Sequence, residues 1–169
     1  MGPRRGEGGF GMLRLSRILA PTDFSDHSDH ALRSAAEMAR QFGAKLFLLH
    51  VVSTEALESI SKAHVPTYPV DRVYEDLTQE IHEQFAKHVP SELRKSLETE
   101  ILVLPGVPFL EIIRVARLKG VDLIVMATHG RTGLSHALMG SVTEKVVRKA
   151  PCPVLSIRPV GVEAKAVAA

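Results

Sequence analysis

The sequence predicts an α/β fold: a single domain on a five-stranded parallel sheet, strand order 3-2-1-4-5, with helices on both faces. Two observations carry that prediction. Apolar runs of strand length alternate with segments of helical period, in the order β-α-β-α-β-α-β-α-β. Such alternation implies parallel strands joined by crossover helices. The run Val121–Met126 also shows no polar alternation after Asp122, so both its faces are buried, as in a parallel sheet.

Each element has its own signal. RILAPT, Arg17–Thr22, is a short apolar strand. Ser25 caps the helix after it, with Asp26 and Asp29 in the first turn, where the helix dipole favours anions. Ala31, Leu32, Ala35, Ala36, Met38 and Ala39 recur at helical spacing, and Gly43 ends that helix. AKLFLLHVV, Ala44–Val52, is a buried strand. Residues 53–70 contain Pro66 and Pro69 and show no sustained pattern; they read as a long loop, a kind that is often functional. Asp71–Val89 reads as a helix, and Pro90 starts a new turn or bends the axis. Glu100–Pro105 is the third strand. Pro108 opens a helix to Lys119 that Gly120 closes. VDLIVMA, Val121–Ala127, is the fourth strand, and Ser141–Lys149 the last helix. CPVLSIRP follows as the fifth strand; Pro151 and Pro153 mark it as short and at a sheet edge.

Composition narrows the function classes. The chain has 169 residues, enough for one domain, and 45% hydrophobic residues can form a sizeable core. Aromatics are few and Trp is absent, so the core is aliphatic. Residues 1–14 read as a flexible tail, 15–159 as the domain and 160–169 as a second loose tail. The net charge of +2 is matched by Arg4, Arg5 and Arg14 against Glu7 in the first tail, which leaves the rest neutral. A nucleic-acid partner is therefore not expected. A single Cys makes no internal disulfide, so a reducing, cytoplasmic setting is expected. No apolar run reaches the roughly 18 residues of a membrane span, and no signal peptide is expected.

In such sheets ligands bind beyond the carboxyl ends of the strands, where the strand order switches. Two loops lie there: PTDFS after strand one, and ATHGRTGLSHALMGSVTEK, Ala127–Lys145, after strand four. The second has two readings. Ser141 and Glu144 have the spacing of a capping box, in which case Gly130, Gly133 and Gly140 only turn the chain. Alternatively the helix N-terminus holds a phosphate, with Gly130 and Gly140 allowing close approach of the backbone. The loop also carries His129, Arg131 and His136; His136 is expected in solvent. It is not a Walker A loop, since no Gly-Lys-Ser/Thr follows a glycine-rich turn. The loop after strand one is not glycine-rich, which speaks against a dinucleotide site.

Taken together, ILAPTDFS, LLHVV, DLIVMATHGRTGL and GSVTEKVVRKAPCPVL, in that order, resemble the universal stress protein family over about residues 16–158. The resemblance implies a Rossmann-like domain of the adenine nucleotide alpha hydrolase type. The nucleotide-binding branch carries Gly-x2-Gly-x9-Gly-Ser/Thr, onto which Ala127, Gly130, Gly140 and Ser141 fall. Ala127 thus replaces the first glycine. At a strand end Ala costs little, and its methyl matters only if ligand lies against that Cα.

The resemblance further implies a stress-response sensor or regulator that binds ATP, or ADP or AMP, with Mg²⁺ or Mn²⁺ accompanying the phosphates and no firm protein ligand to the metal. Pro21, Thr22 and Asp23 would line the adenosine side, and Val51 would meet adenine through its backbone. Ala127, His129, Gly130 and Arg131 would border ribose and phosphates. Gly140, Ser141, Val142 and Thr143 would hold the phosphates. Family members usually form homodimers by pairing their last strands antiparallel, here around Val154–Ile157.

Blander roles stand beside these. Asp23 could serve only the helix start near Ser25, and His50 could be a strand histidine satisfied by neighbours. His27 and His30 read as surface histidines without a third metal ligand, and Cys152 as a small buried residue. Three other functions remain open: a nucleotide-free stress protein acting by protein contacts, an ATP-dependent enzyme of the related alpha-hydrolase type, and a flavodoxin-like carrier. The enzymes carry Ser-Gly-Gly-x-Asp-Ser after strand one, where this chain has PTDFSDHS. The expectation is a non-enzyme with at most very slow ATP hydrolysis.

Overall fold

The computed structural model describes residues 14–54, 59, 70–130 and 139–158. Five parallel strands form one sheet in the order β3-β2-β1-β4-β5. The strands are β1 Arg17–Pro21, β2 Lys45–Ser53, β3 Thr99–Gly106, β4 Leu123–Ala127 and β5 Val154–Ile157; the helices are α1 Asp26–Phe42, α2 Val70–His88, α3 Ser91–Ser96, α4 Pro108–Leu118 and α5 Ser141–Lys149. The fold class and strand order are those the sequence predicts.

Strand alternation divides the core in two. Ile18, Ala20, Leu46, Leu48, Leu123 and Val125 face α1 and α2, meeting Leu32, Ala35, Ala36, Ala39, Ile81 and Phe85. Leu19, Phe47, Leu49, Ile124 and Met126 face α4 and α5, meeting Ile112, Val115, Ala116 and Val146. Successive strand side chains point to opposite faces, so one central strand feeds both layers. All five residues of β4 are buried. Each fully buried Leu or Ile contributes about 1.5–3 kcal/mol, and, Leu32 of α1 apart, these residues lie on β1, β2 and β4, the three central strands.

The local signals act as expected at several boundaries. Ser25 is the N-cap of α1, its side chain accepting from the Ser28 amide at 3.3 Å. Gly43 ends α1 in the left-handed region, at φ 62°. Pro108 occupies the first turn of α4, and Gly120 follows that helix at φ 59°. Other boundaries move by a residue. The second helix runs Val70–His88 rather than Asp71–Val89, and Pro90 becomes the N-cap of the short α3. β3 extends to Gly106, which pairs with Ser53 of β2. Residues 54 and 59 are the only described ones between β2 and α2; the rest of the expected long loop, and nearly all of both expected tails, lie outside the described residues. Cys152 is half-buried against the α4–α5 layer, and burial pushes its thiol pKa up.

Candidate functional site

The sheet order turns between β1 and β4: the chain passes from β1 to β2 on one side, and β4 takes the other. A cavity of about 450 Å³ lies there, lined by the residues that follow both strands. Its volume suits a small-molecule ligand.

The loop after β1 forms one wall. The Thr22 amide donates to the Leu49 carbonyl at 2.9 Å. The Thr22 hydroxyl lies 2.9 Å from that of Ser28 and accepts from the Phe24 amide at 3.0 Å. Asp23 Oδ1 accepts from the Ser25 amide at 3.1 Å and the Ser25 hydroxyl at 2.7 Å. Asp23 therefore supports the capping residue and also lines the cavity. His50 Nδ1 donates to the Thr22 carbonyl at 2.8 Å, the satisfied strand histidine of the blander reading. Phe24 has φ 59°. A left-handed conformation costs a non-glycine residue roughly 1–2 kcal/mol.

The opposite wall is the start of α5. The predicted capping box is not formed: the N-cap is Gly140, with φ −68° and ψ 151°. Its amide donates to the Thr128 carbonyl at 2.7 Å, and its carbonyl accepts from the Glu144 amide at 2.9 Å. That tie to the end of β4 starts the helix one residue early, so Ser141 becomes the first helical residue. Glu144 instead lies 3.8 Å from Arg148. The amides of Ser141, Val142 and Thr143 precede the first intrahelical bond, so the helix itself gives them no acceptor. All three residues line the cavity. Thr143 is buried, and its hydroxyl donates to the Ala127 carbonyl at 2.9 Å, fixing α5 to β4.

The glycines work through proximity and not through unusual φ. A Cβ on Gly140 would stand 3.3 Å from the Thr128 carbonyl oxygen, and one on Gly130 would stand 2.7 Å from Asp23 Oδ2. Gly130 thus lets the loop after β4 meet the loop after β1 across the crevice.

Eleven of the twelve sequence-predicted site residues line this one cavity: Pro21, Thr22, Asp23, Val51, Ala127, His129, Gly130, Gly140, Ser141, Val142 and Thr143. Arg131 lies outside the described residues, as does His136. The sequence reading missed Ser28, Leu49, Ser53, Pro108, Ile112 and Met126, which also line it. Pro108 and Ile112 had a legible signal: a connection from β3 to β4 must cross β2 and β1, carrying the start of α4 over the crevice. His27 comes within 6.4 Å of His129, ring centre to ring centre. Among the described residues no group of three or more His, Cys, Asp or Glu is placed to hold a metal ion. No helix among them is long and apolar enough to cross a membrane.

The arrangement offers a helix N-terminus for an anion, an apolar slot between Val51, Pro108, Ile112 and Met126, and a carboxylate with hydroxyls at the junction. Those chemistries match a phosphorylated nucleoside. Comparison with known proteins identifies its relatives. The sequence profile of the universal stress protein family matches residues 15–158. Universal stress protein MJ0577 of Methanocaldococcus jannaschii is 30% identical, over 86% of this chain and 96% of its own. Universal stress protein YxiE of Bacillus subtilis is 32% identical, over 85% of this chain and 99% of its own. The solved structure of MJ0577 superposes with a TM-score of 0.70 over 86% of this chain and 97% of its own, at 29% identity. The universal stress protein of Archaeoglobus fulgidus in complex with dAMP gives a TM-score of 0.56 over 86% and 99%, at 25% identity. The chain belongs to the universal stress protein family.

Proposed function

We propose that this protein binds an adenine nucleotide, ATP foremost, in the crevice between β1 and β4, and acts as a stress-response regulator and not as an enzyme. The observation that carries the reading is the start of α5, whose first three residues all face the cavity beside Gly130 and Gly140. The phosphates would sit on those amides and on the helix dipole. Adenosine would lie toward Pro21, Thr22, Asp23 and Val51. The dAMP complex of the A. fulgidus relative supports an adenine nucleotide as the ligand class. A Mg²⁺ or Mn²⁺ ion would be held mainly by phosphate oxygens, which such hard cations prefer. No lysine is among the described residues lining the cavity, which favours binding over phosphoryl transfer. The single cysteine suits action in the reducing cytoplasm.

Calorimetric titration of ATP, ADP and AMP, with mass spectrometry of what the purified protein releases on denaturation, tests the reading. Saturable ATP binding is expected. No binding at millimolar nucleotide would favour a nucleotide-free protein, for which the Ala127 methyl in the cavity wall speaks. Turnover above roughly 1 s⁻¹, the low end of typical enzymes, would favour the enzyme. β5 is an outer strand with Leu155 exposed, so we also propose a homodimer paired along Val154–Ile157, which covers that edge. Light scattering at micromolar concentration should give twice the mass of the chain.

A further inference from the structure

One aromatic cluster among the described residues has no part in the nucleotide reading. The Phe24 ring stacks on His50 with centres 4.8 Å apart, meets Phe85 edge-on at 5.0 Å and lies 5.5 Å from His88. His88 Nδ1 is 2.7 Å from Asp29 Oδ1, so α2 also reaches the first turn of α1. Phe24 stands between Asp23 and Ser25 and holds a left-handed φ of 59°, where glycine would be the unstrained choice. A bulky residue stays there only when its surroundings over-determine it. The aromatic cage does so from one side, and the Phe24 amide on Thr22 Oγ1 from the other. The same kink sets Asp23, which accepts from Ser25 and whose Oδ2 occupies the place a Cβ on Gly130 would need.

We propose that Phe24 is a positioning residue for the ligand site: its caged ring maintains the left-handed turn that aims Asp23 across the crevice at the Gly130 loop. The role rests on the nucleotide reading for its effect on binding, but not for its effect on the loop. It assigns α2 a task as well. Phe85 and His88 sit on that helix and meet the Phe24 ring of the binding loop.

Two variants separate this from a purely structural role. Phe24→Leu keeps apolar volume but not the stacking, and Phe24→Gly relaxes φ while removing the ring. Amide hydrogen exchange in nucleotide-free protein reads the loop directly. In both variants the Ser25 amide, which donates to Asp23, should exchange at least about tenfold faster, while Leu49 and Ile124 in the sheet stay protected. ATP titration reads the consequence: affinity should fall about tenfold in both variants, a coupling typical of residues in contact. Unchanged Ser25 exchange in either variant overturns the proposal, and so does unchanged ATP affinity in the variants when the wild type binds. A wild type that binds no nucleotide would sink the proposed function instead. The exchange experiment would then decide alone whether Phe24 holds the loop.

Discussion

The two ends of the sheet are held by different means. Where the strands begin, charged side chains add ties to those of the backbone. Asp122 Oδ2 accepts from the amides of Ser16 and Arg17, each at 2.9 Å. Glu100 meets Lys119 at 2.6 Å and Lys45 at 3.0 Å, and Lys45 also meets Glu98. Where the strands finish, backbone carbonyls do the holding: Thr128 accepts from the Gly140 amide, Ala127 from the Thr143 hydroxyl and Thr22 from His50. Ties of the second kind consume carbonyls and leave the first amides of α5 open to a ligand. One end is closed by charge, and at the other the ties use the Gly140 amide and the Thr143 hydroxyl but not the amides of Ser141, Val142 and Thr143.

The contrast can be broken most sharply at Gly140. Gly140→Val should lower ATP affinity at least about 100-fold, near 3 kcal/mol, while circular dichroism stays native. The backbone there is extended and tolerates Val, but the Cβ meets the Thr128 carbonyl and the branches enter the cavity. Asp122→Ala attacks the other end. Two amides lose their acceptor and water replaces part of the loss, so urea unfolding should show about 1–2 kcal/mol less stability, with ATP affinity unchanged.

Acid titration sharpens the same comparison. Hydrogen bonds from Lys119, and then from Lys45, hold the Glu100 carboxyl below its ordinary value of 4.5. A depressed folded pKa means its stabilisation is present above the unfolded value and is lost as pH falls through the folded one. Wild type should therefore lose stability as pH drops below 4.5, and Glu100→Gln should flatten that slope. The side chain is partly exposed, so the difference should stay under about 1 kcal/mol. The smallest effect belongs to Ser141→Ala. Gly140 is the cap, so thermal unfolding should shift by no more than about 0.5 kcal/mol, whatever happens to affinity.

That last case shows where the sequence was legible and where it was not. Ser141-Val142-Thr143-Glu144 has the spacing of a capping box, yet the helix start is decided by a contact to Thr128, which local pattern does not contain. Gly43, Pro108 and the unbroken apolar run of β4 act through local geometry, and each reads correctly from the chain. The sequence reads Gly130 and Gly140 either as turns or as close approach to a phosphate; their tight neighbours in the protein, Asp23 and Thr128, emerge only in three dimensions. Phe24 was not legible at all. Its φ is imposed by rings on β2 and α2, and a bulky aromatic gives no local hint of a left-handed turn.

The bond between the Gly140 amide and the Thr128 carbonyl has a consequence for the segment between them. It closes a ring of chain whose two ends meet at one point on the frame. Lengthening such a ring costs only about 0.6 kcal/mol per doubling of its length. A peptide tag or a small folded insert placed between residues 131 and 138 should thus leave the sheet and both cores standing. The bond, and not the length of the chain between, then holds the end of β4 against the start of α5.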